Sequence, residues 1–405
     1  MRRRLAAVFV LCIGGLVAAM PSAARPEPAS ALQGRLARAL AVPQVAKATS
    51  SAIVVDLKTG AVLFQRNPNL SLAPASNEKL AVAYAALVAL GPGFRIPTHV
   101  LGRGHLIDGV WHGDLILKGY GDPTLSTHGL RSLARQLRAA GIRRVTGRVV
   151  GDESYFDSRR IGPGWKGWYY INESPPLSAL AVDRGRYRGR TARDPALAAA
   201  GTMRAELRRL RIAVAGAAVT GRASDQALPL ASIESPPLQV ILRLMNRESD
   251  NFTSELILKQ LGTLFSDRGT TARGGRMVRE TLADAGIPLS GVRIADGSGL
   301  SRSNRLTARA LMTMLQSAWA DVEIGPAFVR SLAVAGRNGT LRDRMRRWPA
   351  AGRVFAKTGT TSVASALSGF VKNRFAFVVL HNGRPVSHYW ARLAQDRFAA
   401  VLASQ

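Results

Sequence analysis

The chain has 405 residues, of which 47% are hydrophobic and 20% are charged, and this composition excludes a disordered polymer, a coiled coil and a collagen-like fibre. Its 56 lysines and arginines against 26 acidic residues give a formal net charge of +30, which points to an anionic partner: nucleic acid, a membrane surface or acidic polymers of the cell envelope. The length fits two or three domains, or one large domain with an insertion.

The N-terminal segment is predicted to be a secretory signal peptide that covers residues 1–24. Three arginines at positions 2–4 precede an apolar run over residues 5–20, and Ser22 and Ala24 are small residues that suit cleavage after position 24. This interpretation makes the protein exported, to the periplasm or the cell envelope, and disfavours nucleic acid as the partner. The alternative is an uncleaved membrane anchor. Residues 25–30 are predicted to be a polar linker.

The cysteine and histidine content limits the chemistry of the site. Cys12, the one cysteine of the sequence, lies within the apolar run, so the processed protein would have no disulfide, thiolate nucleophile or zinc–thiolate site. The six histidines show no spacing typical of a metalloprotease. We therefore expect no metal and no organic cofactor.

The pattern of apolar residues changes twice along the rest of the chain. Helices and strands are indicated in residues 31–91, short β-like runs broken by glycines in residues 92–224, and helices and long strands again in residues 225–405. We predict that residues 31–91 and 225–405 form one α/β (α+β) domain, and that residues 92–224 form an inserted β-rich accessory domain.

The predicted elements follow in chain order. They are a helix through Leu32, Leu36 and Leu40, strands over 51–57 and 61–64, a helix over 76–90, β-like runs over 98–101, 115–117, 148–150 and 211–214, a basic helix over 130–140, strands over 354–355, 364–371 and 375–380, and a terminal helix over 389–402 packed on the sheet.

Three short motifs stand in order along the chain: Ser76-Asn77-Glu78-Lys79, Ser249-Asp250-Asn251 and Lys357-Thr358-Gly359. In the first motif, positions i and i+3 lie on one helix face, so the Lys79 amine can reach the Ser76 hydroxyl. Burial and a neighbouring cation such as Lys357 would have to lower the pKa of this lysine from about 10.4 to near 7 or 8 before it could act as a base. A serine in a first helical turn also has backbone N–H groups beside it that stabilise an oxyanion.

The third motif is predicted to lie on a strand because an apolar pair precedes it, with Gly359 allowing a substrate backbone to approach closely. The same three letters occur at Lys58-Thr59-Gly60. That triplet precedes the serine motif and stands in a predicted turn between two strands, so we interpret it as structural.

With these motifs in this order, the chain resembles the class C low-molecular-mass penicillin-binding proteins, the D-Ala-D-Ala carboxypeptidase/endopeptidase family. The resemblance covers nearly the whole chain after residue 24 and implies a transpeptidase-like domain, an antiparallel sheet flanked by helices, with a large insertion between the first two motifs. The insertion is shorter here than in fuller members of the family. Further matching stretches are residues 74–80, 121–125, 178–180, 296–302 and 338–341.

The resemblance implies a role for each matching residue. The catalytic candidates are Ser76 as the acylated nucleophile, Lys79 as its general base and Ser249 as a proton relay to the leaving amine. The candidates for substrate binding are Asn251, Lys357, Thr358, Gly359, Thr360, Asp122 and Arg302. Asn251 would bind the peptide carbonyl of the substrate, and the third motif with Thr360 would bind the terminal carboxylate. For Asp122 and Arg302, a structural role is equally open.

The implied function is a serine D-Ala-D-Ala carboxypeptidase/endopeptidase that hydrolyses peptidoglycan stem peptides through an acyl-enzyme and is inhibited covalently by β-lactams. Two alternatives stay open: a serine β-lactamase, and a non-catalytic basic protein that binds the anionic cell envelope. The Glu-x-x-Leu-Asn stretch typical of class A β-lactamases is missing from the sequence. Whether the cleaved bond is terminal or a cross-link is left open, because both give the same acyl-enzyme. The net charge also predicts electrostatic association with an anionic envelope surface.

Overall fold

The computed structural model describes residues 29–405, so the predicted signal peptide and residues 25–28 lie outside the described residues. The first helix already begins at Ala29, inside the predicted linker. The helices of the described residues are α1 (Ala29–Ala39), α2 (Glu78–Leu90), α3 (Thr127–Ala139), α4 (Tyr169–Asn172), α5 (Pro195–Arg209), α6 (Leu238–Arg247), α7 (Asn251–Leu261), α8 (Thr271–Asp284), α9 (Ala308–Ala320), α10 (Gly325–Ser331) and α11 (His388–Ala403). The strands are β1 (Ser50–Asp56), β2 (Val62–Arg66), β3 (Pro97–Ile107), β4 (Val110–Gly119), β5 (Arg144–Val145), β6 (Val149–Asp152), β7 (Arg186–Tyr187), β8 (Arg190–Thr191), β9 (Ala213–Val214), β10 (Ala218–Thr220), β11 (Leu228–Glu234), β12 (Ala333–Val334), β13 (Val354–Thr361), β14 (Ala364–Val371) and β15 (Phe375–Asn382).

A six-stranded antiparallel sheet, ordered β12-β13-β14-β15-β1-β2, forms the centre of the first region. Strands β1 and β14 are buried along their whole length, because helices cover both faces of the sheet. One face shares a core with α2 and α9, and the other with α1 and α11. Phe398 of α11 is fully buried against this second face. The predicted packing of the terminal helix on the sheet is therefore confirmed.

A second sheet occupies the middle of the chain. Its strands run in the order β10-β6-β4-β3-β11, with β5 and β9 added beside β4, and α3 and α5 pack against it around Leu117, Leu133 and Met203. Helix α5 was not predicted, because its buried face is mostly alanine and gives weak apolar contrast. Strand β11 pairs with β3 although it lies beyond position 224. The domain boundary at 224/225 stays a prediction.

Two local predictions meet different outcomes. The hairpin between β1 and β2 is confirmed, and Gly60 in its turn has a φ of +74°, which glycine adopts without steric cost. The helix predicted from position 76 begins as a 3₁₀ turn, Ala75–Asn77, and becomes α-helical only at Glu78. None of the helices described over residues 29–405 combines the length and the apolar character needed to span a membrane.

Candidate active site

The serine of the first motif lies in the 3₁₀ turn that leads into α2. Ala75 in this turn has a φ of +48°, a left-handed conformation that costs a non-glycine residue free energy. Two glycines clamp the turn: a Cβ on Gly299 would lie 1.9 Å from the Ala75 carbonyl oxygen, and a Cβ on Gly359 would lie 2.8 Å from the Pro74 carbonyl oxygen. The turn that carries Ser76 is therefore fixed by its fit against β13 and the 296–301 loop.

Lys79 lies one turn further along and points at the serine. Its Nζ is 3.1 Å from Ser76 Oγ, and it also donates to Asn251 Oδ1 at 2.8 Å and to the Ser298 carbonyl oxygen at 2.6 Å. The amine has no exposed surface, so these three acceptors replace water. The contact joins the first and second motifs, which lie more than 170 positions apart in the sequence.

Burial lowers the pKa of Lys79 to about 8, while the nearby carboxylates of Asp296, Asp250, Glu255 and Glu78 act in the opposite direction. The lowering agrees with the prediction in direction and value; of the two predicted causes, burial acts here and the Lys357 charge does not contribute. Between the two motif lysines, it is the charge of Lys79 that acts on Lys357. Burial, and then this charge, lower the pKa of Lys357 well below its ordinary value. A fraction of Lys79 is thus neutral near pH 7 and can accept the Ser76 proton.

We expect the rate at which a labelled penicillin acylates the protein to rise with pH and to level off above about pH 8. The neutral amine is the base, so below the Lys79 pKa of about 8 its fraction, and with it the rate, falls about tenfold per pH unit. Rates measured from about pH 6 to pH 9.5 check this, with circular dichroism at each pH as a control for folding. A rate that stays constant over this range would contradict the assignment of Lys79 as the base.

A buried carboxylate supports the floor of the site. Asp296 has no exposed surface, and five donors bind it: Oδ1 accepts from Gly299 N and Asn304 Nδ2, and Oδ2 accepts from Ser301 N, Ser298 Oγ and Trp165 Nε1. Glu255 accepts from the N–H groups of Gly297 and Ser298 in the same loop. Burial and the charge of Asp296 raise the pKa of Glu255 to about 8. These bonds hold the Ser298 carbonyl towards Lys79.

Asp296→Asn is expected to lower the free energy of unfolding by about 2–4 kcal/mol, because the amide NH₂ would face N–H donors in place of one carboxylate oxygen. Urea denaturation of the two proteins measures this difference. The matched control is Asp225→Asn, which changes an exposed carboxylate and should alter the free energy by less than about 0.5 kcal/mol. Equal urea midpoints for the wild type and Asp296→Asn would show that the five hydrogen bonds do not hold the loop.

The second motif reaches the cleft from the segment between α6 and α7. Ser249 has a φ of +58°, and Asn251 is the first residue of α7, whose N-cap is Asp250. Asn251 accepts from Lys79 through Oδ1 and donates through Nδ2 to the Glu173 carbonyl oxygen at 3.0 Å. Its amide is thus held at both ends.

The third motif lies on β13, as predicted. Lys357 is fully buried and donates to the Thr358 carbonyl oxygen at 2.9 Å, and its own carbonyl accepts from Asn77 Nδ2 at 2.9 Å. Thr358 Oγ1 donates to Thr340 Oγ1 at 2.8 Å, while Thr360 is exposed. The strand therefore binds the serine turn directly and presents its threonines to the cleft.

The three motifs meet in one cleft with a volume of about 470 Å³. The cleft is lined by Ser76, Glu173, Ser249, Asn251, Leu300, Thr340, Asp343, Arg344, Thr358, Thr360 and Arg392. Of the residues on the rim, Arg344 is held by Asp396 through a hydrogen bond of 2.7 Å. Across residues 29–405, no three side chains of the His, Asp or Glu type converge as ligands for a metal ion.

Four predicted substrate contacts lie elsewhere or act differently. Lys357 is fully buried, donates to the Thr358 carbonyl oxygen and is outside the cleft lining. Asp122 is buried and accepts from the N–H and hydroxyl of Thr124 at 2.7 and 2.6 Å, and it is outside the cleft lining. Arg302 is exposed, also outside the lining, and donates to Ser362 Oγ at 3.3 Å. The close approach that Gly359 permits is that of the serine turn itself. The Lys58-Thr59-Gly60 triplet forms a turn in which Asp56 Oδ1 accepts from two backbone N–H groups.

Several residues of the site have no motif of their own in the sequence. Asp296 and Ser298 were seen only as part of a matching stretch, and Glu255 was not singled out, although it lies one helical turn after Asn251. Glu173 and Arg392 come from segments without a motif. The sequence feature that could have indicated Asp296 is the Asp-Gly-Ser-Gly run at positions 296–299, because its two glycines are typical of a tightly packed loop.

The fold and the cleft define an active-site serine enzyme that transfers acyl groups, and comparison with known proteins gives the family. The sequence model of the D-Ala-D-Ala carboxypeptidase 3 (S13) family matches residues 32–193 and 186–405. A D-alanyl-D-alanine carboxypeptidase of Actinomadura sp. (strain R39) is 30% identical over an alignment of 438 residues, which covers 84% of this chain and 79% of that protein. The carboxypeptidase DacB of Mycolicibacterium smegmatis is 32% identical over an alignment that covers 91% of this chain and 83% of that protein.

The crystal structure of penicillin binding protein 4 from Haemophilus influenzae has a TM-score of 0.78 at 23% identity and covers 94% of this chain and 99% of that one.

The chain therefore belongs to the D-Ala-D-Ala carboxypeptidase 3 (S13) family. The predicted resemblance, the α/β fold class and the enzyme class, a serine-type D-Ala-D-Ala carboxypeptidase, are confirmed.

Proposed function

We propose that Ser76 is the nucleophile of this carboxypeptidase and Lys79 its general base. The single observation that carries the proposal is the 3.1 Å contact between Ser76 Oγ and Lys79 Nζ at the floor of the cleft. Neutral Lys79 takes the hydroxyl proton while Oγ attacks the carbonyl carbon of the penultimate D-Ala of a stem peptide. The oxyanion that forms is bound by the backbone N–H groups of Ser76 and Thr360.

The remaining polar residues of the cleft complete the reaction. Ser249 passes the proton to the leaving amine, and the C–N bond breaks to leave an ester on Ser76, which water then hydrolyses. Asn251 binds the peptide carbonyl, and Thr358 and Thr360 bind the carboxylate next to the leaving amine. A β-lactam acylates the same serine but keeps its leaving group attached. Asp122 and Arg302 lie outside the cleft lining, so we assign them no contact with the reacting bond.

The test is digestion of purified peptidoglycan sacculi with identification of the released muropeptides by mass. Loss of one alanine from a pentapeptide stem identifies carboxypeptidase action, and conversion of dimers to monomers identifies endopeptidase action on cross-links. Rapid and complete turnover of a chromogenic cephalosporin, with no change in the muropeptides, would instead identify a β-lactamase. Unchanged muropeptides and no turnover would overturn the proposal.

We also infer that the protein is exported and works in the periplasm or at the cell envelope, where its substrate lies. The apolar run at residues 5–20 and the net charge of +30 support this. A basic cluster on the surface also supports it. Burial, and then the charges of Arg353 and Arg374, lower the pKa of Lys372, which shows that the three cations lie close together. Sedimentation with sacculi in low salt and release in high salt would show electrostatic association.

A further inference from the structure

One ion pair connects the region between the first two motifs to the second motif. Arg184 lies in the turn Val182–Gly185 and donates through Nη2 to Asp250 Oδ2 at 2.6 Å. Its guanidinium also lies over the ring of Phe252, 5.4 Å from the centroid. The middle segment of the chain thus contacts the peptide that carries Ser249.

The contact has strained backbone on both sides. Asp183, Arg184 and Ser249 have φ values of +48°, +60° and +58°, all in the left-handed region that disfavours residues other than glycine. Such conformations persist only where the surrounding structure fixes them, and they concentrate at functional sites. Three such residues lie in two segments that contact each other, which indicates that the surrounding structure fixes this geometry at a functional site.

The strained turn is itself anchored to the second sheet's helix layer. The Asp183 carboxylate accepts from the N–H of Thr127, the first residue of α3, at 3.2 Å, and the Asp183 N–H donates to the Leu125 carbonyl oxygen at 2.8 Å. Arg184 follows directly in the chain. A continuous set of bonds therefore leads from α3 through this turn to Asp250.

On the catalytic side, Asp250 has two bonded oxygens. Oδ2 accepts from Arg184, and Oδ1 accepts from the N–H of Thr253 at 2.7 Å as the N-cap of α7. Burial alone would raise the pKa of Asp250, but the Arg184 hydrogen bond and charge, together with Thr253, hold it below its ordinary value. The carboxylate is therefore charged at neutral pH and fixed between Arg184 and α7.

We propose that Arg184 is a positioning residue through which the inserted region holds Asp250 and, with it, the left-handed Ser249 in the catalytic cleft. Through Arg184 the inserted region thereby takes part in catalysis with a residue that is not part of the cleft lining. The inference rests on the proposed function of Ser249 as the proton relay. Removing Arg184 would leave Asp250 Oδ2 mostly buried without its partner and Asp250 held only by the Thr253 N–H, and the Ser249 hydroxyl would lose its alignment with the leaving amine.

The experiment measures kcat and KM for a soluble peptide ending in D-Ala-D-Ala, with kcat expressed per active site titrated to completion by a labelled penicillin. This normalisation removes any loss of folded protein, which a merely structural role would produce. Arg184→Gln is expected to lower kcat per titrated site by about tenfold or more with a smaller change in KM, since small misplacements of catalytic groups have effects of this size. Arg184→Lys keeps the charge and should recover part of the loss.

The matched control is Arg186→Gln, two positions along on the exposed strand β7, which should keep the wild-type kcat per site. Asp250→Asn should lower kcat per titrated site about as much as Arg184→Gln does. The double variant should have a kcat no lower than that of the less active single variant, since both substitutions remove the same ion pair. Ser249→Ala, measured in parallel, tests the proposed relay itself.

The outcomes separate the inference from the function on which it rests. A wild-type kcat per site in Arg184→Gln, together with a loss in Ser249→Ala, would overturn the positioning role and keep the proposed relay. A wild-type kcat in Ser249→Ala would overturn the relay and, with it, this inference. Should Arg184→Gln fail to fold, Arg184→Lys and Asp250→Asn decide: wild-type values per site in both would overturn the proposal.

Discussion

Ser76→Ala is expected to abolish covalent labelling by penicillin and to lower the cleavage of D-Ala-D-Ala peptides by at least about 10³-fold. Alanine has no atom that can form the ester, and the neutral Lys79 amine, 3.1 Å away in the wild type, would have no proton to take. The protein should stay folded, because removing a half-buried hydroxyl that bonds to one neighbour changes the free energy of unfolding by about 1 kcal/mol.

The matched control for this change is Ser71→Ala. Ser71 lies five positions earlier, is exposed, and donates to the Gly291 carbonyl oxygen at 2.7 Å, so its loss should leave labelling unchanged. Labelling is followed by fluorescence on a gel, and the modified peptide of the wild type is identified by mass. A Ser76→Ala protein that acquired the label on another residue would show that the nucleophile had been assigned wrongly.

Lys79→Met is expected to slow acylation by about 10²–10⁴-fold, the usual contribution of a positioned base. Methionine has a similar length and no charge, so it can fill the space of the buried side chain. It also leaves Asn251 Oδ1 and the Ser298 carbonyl oxygen without the donor seen at 2.8 and 2.6 Å. We therefore expect a loss of about 1–3 kcal/mol in the free energy of unfolding as well, which urea denaturation measures separately.

Two comparisons make this second result specific. Lys58→Met changes the lysine of the other Lys-Thr-Gly triplet, which stands in the turn between β1 and β2, and should acylate at the wild-type rate. The residual acylation of Lys79→Met should also lose the rise towards pH 8 that the wild type shows, because the titrating amine is gone. Acylation within tenfold of the wild type, with its pH dependence intact, would mean that another group is the base.

Much of the site was predictable because the chemistry depends on short local patterns. The spacing of Ser76 and Lys79 puts both on one side of a helical turn wherever that turn lies, and the apolar pair before Lys357 predicts its strand from neighbouring residues alone. The turn at Gly60 likewise needs only its own few residues. Such features survive in any tertiary context, which is why the order of the motifs was enough to indicate the family and the fold class.

The sequence by itself determined the three motifs, their order and the strand that carries the third motif, because each of these depends on residues a few positions apart. The tertiary structure alone decided the electrostatics and the alignment. The pKa of Lys79 is set by complete burial, opposed by carboxylates from distant segments such as Asp296. The pairing of Arg184 with Asp250 joins residues 66 positions apart, and Asp122 is outside the cleft although its stretch matches the family. Desolvation and hydrogen bonds between distant segments exist only once the chain has folded, so no local pattern could have revealed them.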